Sequence, residues 1–271
     1  MGTINPVNIW YRIYADFFMP SRLETYREFL CNAIYCGYEI CSIDFLWQKI
    51  KNNGEIESQK KYLVLRHDVD TDTATAKVMW HLEKSLNVKS SYYFRLSTVD
   101  IDLMQEIALA GGEASYHFEE IATLAKKKRL KRREDILPYM PYIRSMFKDN
   151  LNLLRKKSDL PMKIVASHGD FVNRKLGMPN WEILQDNSFR HEVDIELEVY
   201  DHIFSQYITS RHSDTSFPYF WQPGNPLQAI QTGMHIVYIL VHPRHWRANP
   251  RENFRDDIKR AWEGFCYSLG S

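Results

Sequence analysis

Short β-rich runs alternate with helical patterns along most of this 271-residue chain. That alternation narrows the fold more than any other feature. Strands separated by helices bury both faces of a sheet when they run parallel, so the pattern marks an α/β fold. The first helix opens at Ser21-Arg22-Leu23-Glu24, a capping box, with Leu23, Tyr26, Leu30 and Ile34 on one face and Gly37 as its stop. A second follows Ser42, carries Ile43, Leu46 and Ile50, and stops at Asn53-Gly54. Strand-like runs fall at residues 62–65, 91–96, 113–117, 163–167, 195–200 and 235–241. Helical patterns follow Asp72 and Asp100, fill a stretch to about Lys157 broken by Pro138 and Pro141, and resume at Asn249-Pro250-Arg251-Glu252. No repeat or low-complexity linker divides the chain, so residues 1–271 are expected to form a single domain.

Composition removes several function classes. Lys+Arg total 35 against 34 Asp+Glu, a net charge of +1, which argues against a dedicated nucleic-acid binder. The hydrophobic share of 44% is enough for a sizeable core. Cys31, Cys36, Cys41 and Cys266 form neither a CxxC pair nor a zinc-finger spacing and are expected to be reduced. No run approaches the ~18 apolar residues of a transmembrane helix. The opening residues lack the basic and apolar regions of a signal peptide, so a cytoplasmic location is expected.

The polar groups fall at informative places. Residues 62–65 run into Arg66-His67-Asp68-Val69-Asp70, Ser115-Tyr116 into His117-Phe118-Glu119-Glu120, residues 164–167 into His168-Gly169-Asp170, and residues 237–241 into His242-Pro243. In a parallel α/β barrel all strand carboxyl ends lie on one face, where active sites are built. Aspartates and histidines gathered there form the donor set of a catalytic divalent metal such as zinc. A carboxylate left unligated can serve as general base and an unligated histidine as general acid. No phosphate-binding glycine loop, dinucleotide fingerprint or Gly-x-Ser-x-Gly elbow is present.

Leu65-Arg66-His67-Asp68-Val69-Asp70, the aromatic run Ser91-Tyr92-Tyr93-Phe94-Arg95, Gly112-Glu113-Ala114-Ser115-Tyr116-His117, Ser167-His168-Gly169-Asp170 and Leu240-Val241-His242-Pro243 together resemble the polysaccharide deacetylase family, the NodB-homology group also called carbohydrate esterase family 4, in its branch with an Asp-Val-Asp first motif. The resemblance covers residues 22 to 262. It implies a deformed (β/α)7 TIM-like barrel and a metal-dependent deacetylase. By position, Asp68 would be the general base, Asp70 and His117 metal ligands, and His242 the general acid. The family's two aspartates are adjacent, whereas Asp68 and Asp70 are one residue apart, which leaves their roles interchangeable. Where the family has a second metal histidine, this chain has Ile121. Glu119, Glu120 or His168 can supply the missing ligand, and His168 is favoured because it ends its own strand.

Arg66 and Arg95 are candidates for orienting Asp68 or binding an anionic group of the substrate, with a buried ion pair as the alternative. His67 and Trp246 are expected to pack. The basic run Lys126 to Arg133 is expected to be a solvated helix face, or to make weak contact with an anionic membrane. The expected activity is removal of an N-acyl group, acetyl above all, from an amino sugar or glycan intermediate, with a divalent metal, zinc by its donors. The alternatives are a C–N hydrolase of small non-sugar amides and a glycan-binding barrel without catalysis.

Overall fold

The computed structural model describes residues 6–53 and 56–269. Nine strands form its sheet: β1 Tyr38–Cys41, β2 Lys61–Val69, β3 Ser91–Phe94, β4 Glu113–Phe118, β5 Ile164–Ser167, β6 Leu197–Glu198, β7 Ser210–Asp214, β8 Trp221–Gln222 and β9 Ile236–Val241. The ladders run β6-β5-β4-β3-β2-β9-β7-β8, and β1 also pairs with β2. Every pairing is parallel except β7 with β8. The long strand β2 is the hub. Its first half takes β1 and its second half β3, while β9 runs beside residues 62–67.

The sheet curls into an open half-barrel. Among the described residues no ladder joins β6 to β7 or β8, so the ring expected of a (β/α)7 barrel is not closed by hydrogen bonds. β6 is only two residues long, and beyond it Val199 and Phe204 contribute side chains to the inner core instead of a ladder. That inner core holds Tyr62, Val64, Tyr93, Ile164, Ala166, Ile236 and Tyr238, with Ile43, Leu46, Trp47 and Ile50 of the helix Ile43–Asn53. The outer sheet faces pack against helices in two further clusters, one around Phe94, Phe118 and Phe147 and one around Leu63, Val237 and Trp246. Side chains two apart on a strand share a face, which explains how Tyr62 and Val64 point inward while Leu63 and Leu65 point out.

Several elements differ from the expectation. β2 does not stop at Leu65 but continues to Val69, because its polar residues find partners within the fold. The strand expected at 195–200 shrinks to residues 197–198, and β1, β7 and β8 carry no strong alternation to announce them. The Gly54 stop lies outside the described residues.

One buried network fixes β2 to its neighbours. Glu83, on the helix Thr73–Ser85, is fully buried. It accepts hydrogen bonds from Tyr26 Oη at 2.5 Å, Tyr92 Oη at 3.0 Å and Ser90, and lies 2.8 Å from His67 Nε2. The His67 ring stacks on Tyr92 with centroids 4.0 Å apart. His67 therefore sits on the outer face of β2, sandwiched between elements. Truncating a buried charged partner leaves its donors unpaired and costs about 3–5 kcal/mol. Glu83→Ala should lower stability by that order, read as a fall in urea midpoint, and Glu83→Gln should lose less. A Glu83→Ala midpoint equal to wild type would remove the network from the determinants of the fold.

Candidate metal centre

The strand parity that builds the inner core also builds the site. Two residues beyond Val64 and Tyr93 come Arg66 and Arg95, and two beyond Ala166 and Leu240 come His168 and His242. Asp68, Asp70 and His117 have the same inward parity on β2 and β4, so all these side chains meet at the carboxyl ends of the strands. The backbone supports the placement: His168 N continues the β4–β5 ladder by donating to Phe118 O at 2.8 Å.

Asp70 is at the centre. Its Oδ1 lies 3.3 Å from His117 Nε2 and 3.4 Å from His168 Nε2, and the three ligand atoms are all within 4.8 Å of one another. A tetrahedral ion with bonds of about 2.0–2.1 Å holds its ligand atoms about 3.3–3.4 Å apart. Asp70 Oδ1 is buried yet accepts no well-formed hydrogen bond. His117 Nδ1 donates to Ala166 O at 3.0 Å, which leaves the Nε2 lone pair facing the carboxylates. Oxygen and imidazole donors with an orphaned acceptor between them fit a divalent cation.

The electrostatics agree. Burial alone would raise the Asp70 pKa, but His168 and His117 hold it well below the ordinary aspartate range. Burial would lower that of His168, and Asp70 and Glu119 raise it instead to about 9. Arg66 forks Asp68, Nε to Oδ1 at 2.6 Å and Nη2 to Oδ2 at 2.7 Å. That pairing outweighs burial and keeps the Asp68 carboxyl below its usual value. Asp68 Oδ2 is 3.4 Å from His117 Nε2. It approaches one imidazole, where Asp70 approaches two.

The three groups considered in place of Ile121 are now distinguishable. His168 reaches Asp70. Glu119 stands behind it, with Oε2 3.2 Å from His168 Nδ1, and is itself gripped by Arg95 through Nη2 at 2.8 Å to both oxygens. Glu120 faces the outer core, bonded by Tyr116 and Asn150, where burial pushes its pKa to about 7. Ile121 itself is fully buried in that outer core. Arg66 and Arg95 are both engaged with carboxylates rather than open to solvent: Arg66 is fully buried and Arg95 nearly so.

His242 follows β9. Its Nδ1 donates to Asp214 Oδ1 at 2.7 Å, and its backbone N–H to Asp214 Oδ2 at 2.8 Å. Burial would lower its pKa, but Asp214, with Asp70 and Asp68 farther off, raises it to about 9. Asp214 was not singled out from the sequence. It ends β7, a polar strand of residues 210–214 that no apolar alternation marks.

Among the described residues there are two other trios of donors, and in each the central aspartate is already committed. Asp214, near His242 and His245, also accepts from Trp246 Nε1 at 2.9 Å. Asp170, near Glu119 and His168, caps the helix Phe171–Leu176 through Val172 N at 2.8 Å and binds Lys126 Nζ at 2.8 Å. Only the Asp70 trio keeps a buried carboxylate oxygen without a hydrogen-bond donor. Asp68, Asp70 and His242 line one cleft of about 310 Å³, together with Thr71, Ser216 and His245.

Comparison with protein-family models, curated proteins and solved structures finds no match to this chain. The geometry yields a direct test. Protein purified and loaded with zinc should hold about one ion per chain, and Asp70→Ala, His117→Ala and His168→Ala should each lose it. Glu119→Gln should weaken binding about 10–100-fold through His168, and Glu120→Gln should leave it unchanged. Elemental analysis and competition with a chromophoric chelator read both effects. Full zinc retention in His168→Ala would remove that residue from the ligand set.

Proposed function

We propose that the protein is a metal-dependent amide hydrolase that removes a short N-acyl group, acetyl in the first instance, from an amino sugar or glycan intermediate. The observation that carries this reading is the orphaned Asp70 Oδ1 between two imidazole nitrogens, in the same cleft as Asp68 and His242. The order of the motifs, which resembles that of the polysaccharide deacetylases, supports an acylated amino sugar as substrate. The cleft is lined mainly by hydrogen-bonding side chains, which suits a hydroxyl-rich ligand and a short acyl group.

Asp70, His117 and His168 would hold the ion, which when bound supplies Lewis acidity towards a water and an amide carbonyl. Asp68 is the base. The Arg66 fork keeps it ionised at neutral pH and fixes the direction of its free lone pairs. It takes the proton of the attacking water. His242 is the acid. Asp214 holds Nδ1, so Nε2 carries the proton towards the leaving nitrogen of the amine. Glu119 and Asp214 are positioning residues, acting through His168 and His242.

The reading is tested by acid release from a panel of N-acetylated amino sugars and small non-sugar amides, using zinc-loaded protein. Asp68→Asn and His242→Ala should each lower kcat about 10²–10⁴-fold with zinc content unchanged. His242 works protonated, and its raised pKa means that form is present below about pH 9 and is lost as pH rises through it. Activity should therefore fall on the alkaline side. Asp214→Asn removes the carboxylate that raises this pKa and should move the alkaline limb down towards the ordinary histidine value, about 6.5. No acid release from any sugar by zinc-loaded protein would overturn the assignment, and release from the small amides alone would replace the substrate class.

A further inference from the structure

The C-terminal helix Pro250–Ser268 has two unlike faces. Its acids Glu252, Asp256, Asp257 and Glu263 are all at least partly buried. Three of them are paired with the body of the protein: Asp256 and Asp257 each take Arg244 at 2.9 Å, and Glu263 takes Lys126 at 2.8 Å. The opposite face carries Phe254, Ile258, Trp262, Phe265 and, just past the helix end, Leu269, each more than half exposed. Spacings of four, four, three and four residues make them one stripe along the helix. The charges beside the stripe are Arg251, Arg255 and Lys259, all basic. Arg251 and Arg255 have no carboxylate partner among the described residues.

Basic residues continue past the end of the stripe. Lys131, in the run from Lys126 to Arg133, packs on the Tyr267 ring at 3.6 Å from its centroid and donates to Tyr267 O. Lys127, Lys128, Arg129 and Arg132 beside it are exposed. The segment Tyr14–Phe18, which packs next to the helix, exposes Phe18.

We infer that the outer face of residues 250–269, with the adjoining basic run, docks on an anionic lipid surface. An aromatic and aliphatic stripe rimmed by arginine and lysine, on a helix whose acids are turned away, is the charge arrangement of an interfacial helix. A second copy of this chain would set these like charges against one another across a two-fold interface, so charge complementarity favours lipid. The inner flank of the same helix borders the cleft through Arg260, so the docked protein would present the cleft near the membrane surface. The docking itself does not depend on the activity proposed above.

Co-sedimentation of the full chain with vesicles tests it. Vesicles of phosphatidylcholine with about a third phosphatidylglycerol should retain the protein on the order of tenfold or more better than phosphatidylcholine alone. Trp262→Ser with Phe265→Ser, at exposed positions, should abolish sedimentation without moving the urea midpoint. Arg251→Glu with Arg255→Glu should remove the preference for anionic lipid. The inference is overturned if the protein sediments with neither vesicle, or if the Trp262/Phe265 variant sediments like wild type. It is also overturned if light scattering shows a dimer that this variant converts to monomer, since the stripe would then be covered by a second copy.

Discussion

A guanidinium sealed inside a curled sheet sets the terms for this molecule. Arg66 is fully buried, and an isolated charge there would be prohibitively costly. Asp68 neutralises it bidentately, Tyr238 Oη accepts its remaining Nη1 at 3.0 Å, and its plane lies near the rings of Tyr93 and Tyr200. The pair consumes the charge of Asp68. Arg95 and Glu119 cancel in the same way, as do protonated His242 and Asp214. The Asp70 carboxylate is then left without an arginine or lysine ion pair among the described residues, although Arg95 donates to the Asp70 backbone carbonyl at 3.2 Å and is itself stabilised by the Asp70 charge. The groups within ion-pair distance of the carboxylate are the imidazoles of His117 and His168. The candidate cation site follows from how the other buried charges pair off.

The three histidines of the site share one construction. Each turns Nδ1 away from the centre, hydrogen-bonded to Ala166 O in His117 and to Asp214 in His242, and 3.2 Å from the Glu119 carboxylate without a well-formed hydrogen bond in His168. What stands behind determines what the ring is suited to do. A carbonyl behind His117 makes Nδ1 the donor, so the lone pair that a metal needs lies on Nε2. A fully buried aspartate behind His242 favours the cation, the form an acid needs. Identical side chains at equivalent strand ends are thereby given different chemistry by partners from β5 and β7.

The upper rim is organised by another arginine. Arg244 joins Asp16, Asp256 and Asp257, tying the N-terminal segment and the C-terminal helix to the turn that follows His242. Asn249 Nδ2 adds a bond to Asp72 Oδ1 at 2.7 Å, at the start of the helix that follows β2. The wall of the cleft is polar because it is built from these ion pairs. The apolar residues of the same helix are left on the outside, where no part of the described chain covers them.

Much of this was legible in the sequence because it is local. The apolar runs at residues 62–65, 164–167 and 237–241 each pass directly into ionisable residues, so short-range pattern alone places Asp68, Asp70, His168 and His242 at strand ends. Caps at Asp72, Asp100 and Asn249 placed helix starts correctly, since a side-chain oxygen bonding backbone two or three residues on is a short-range event. β7 and Asp214 were not legible: a strand held by backbone ladders between two neighbours needs no apolar alternation of its own. The sequence favours His168 over Glu119 and Glu120 only because it ends its own strand; that Glu120 faces the outer core and Glu119 stands behind His168 depends on the packing around β4 and β5. Local pattern in the chain is enough to place ionisable residues at the strand ends. The tertiary structure alone decided which of them meet, and which charge is left unpaired, because the curl of the sheet sets distances between residues far apart in the chain.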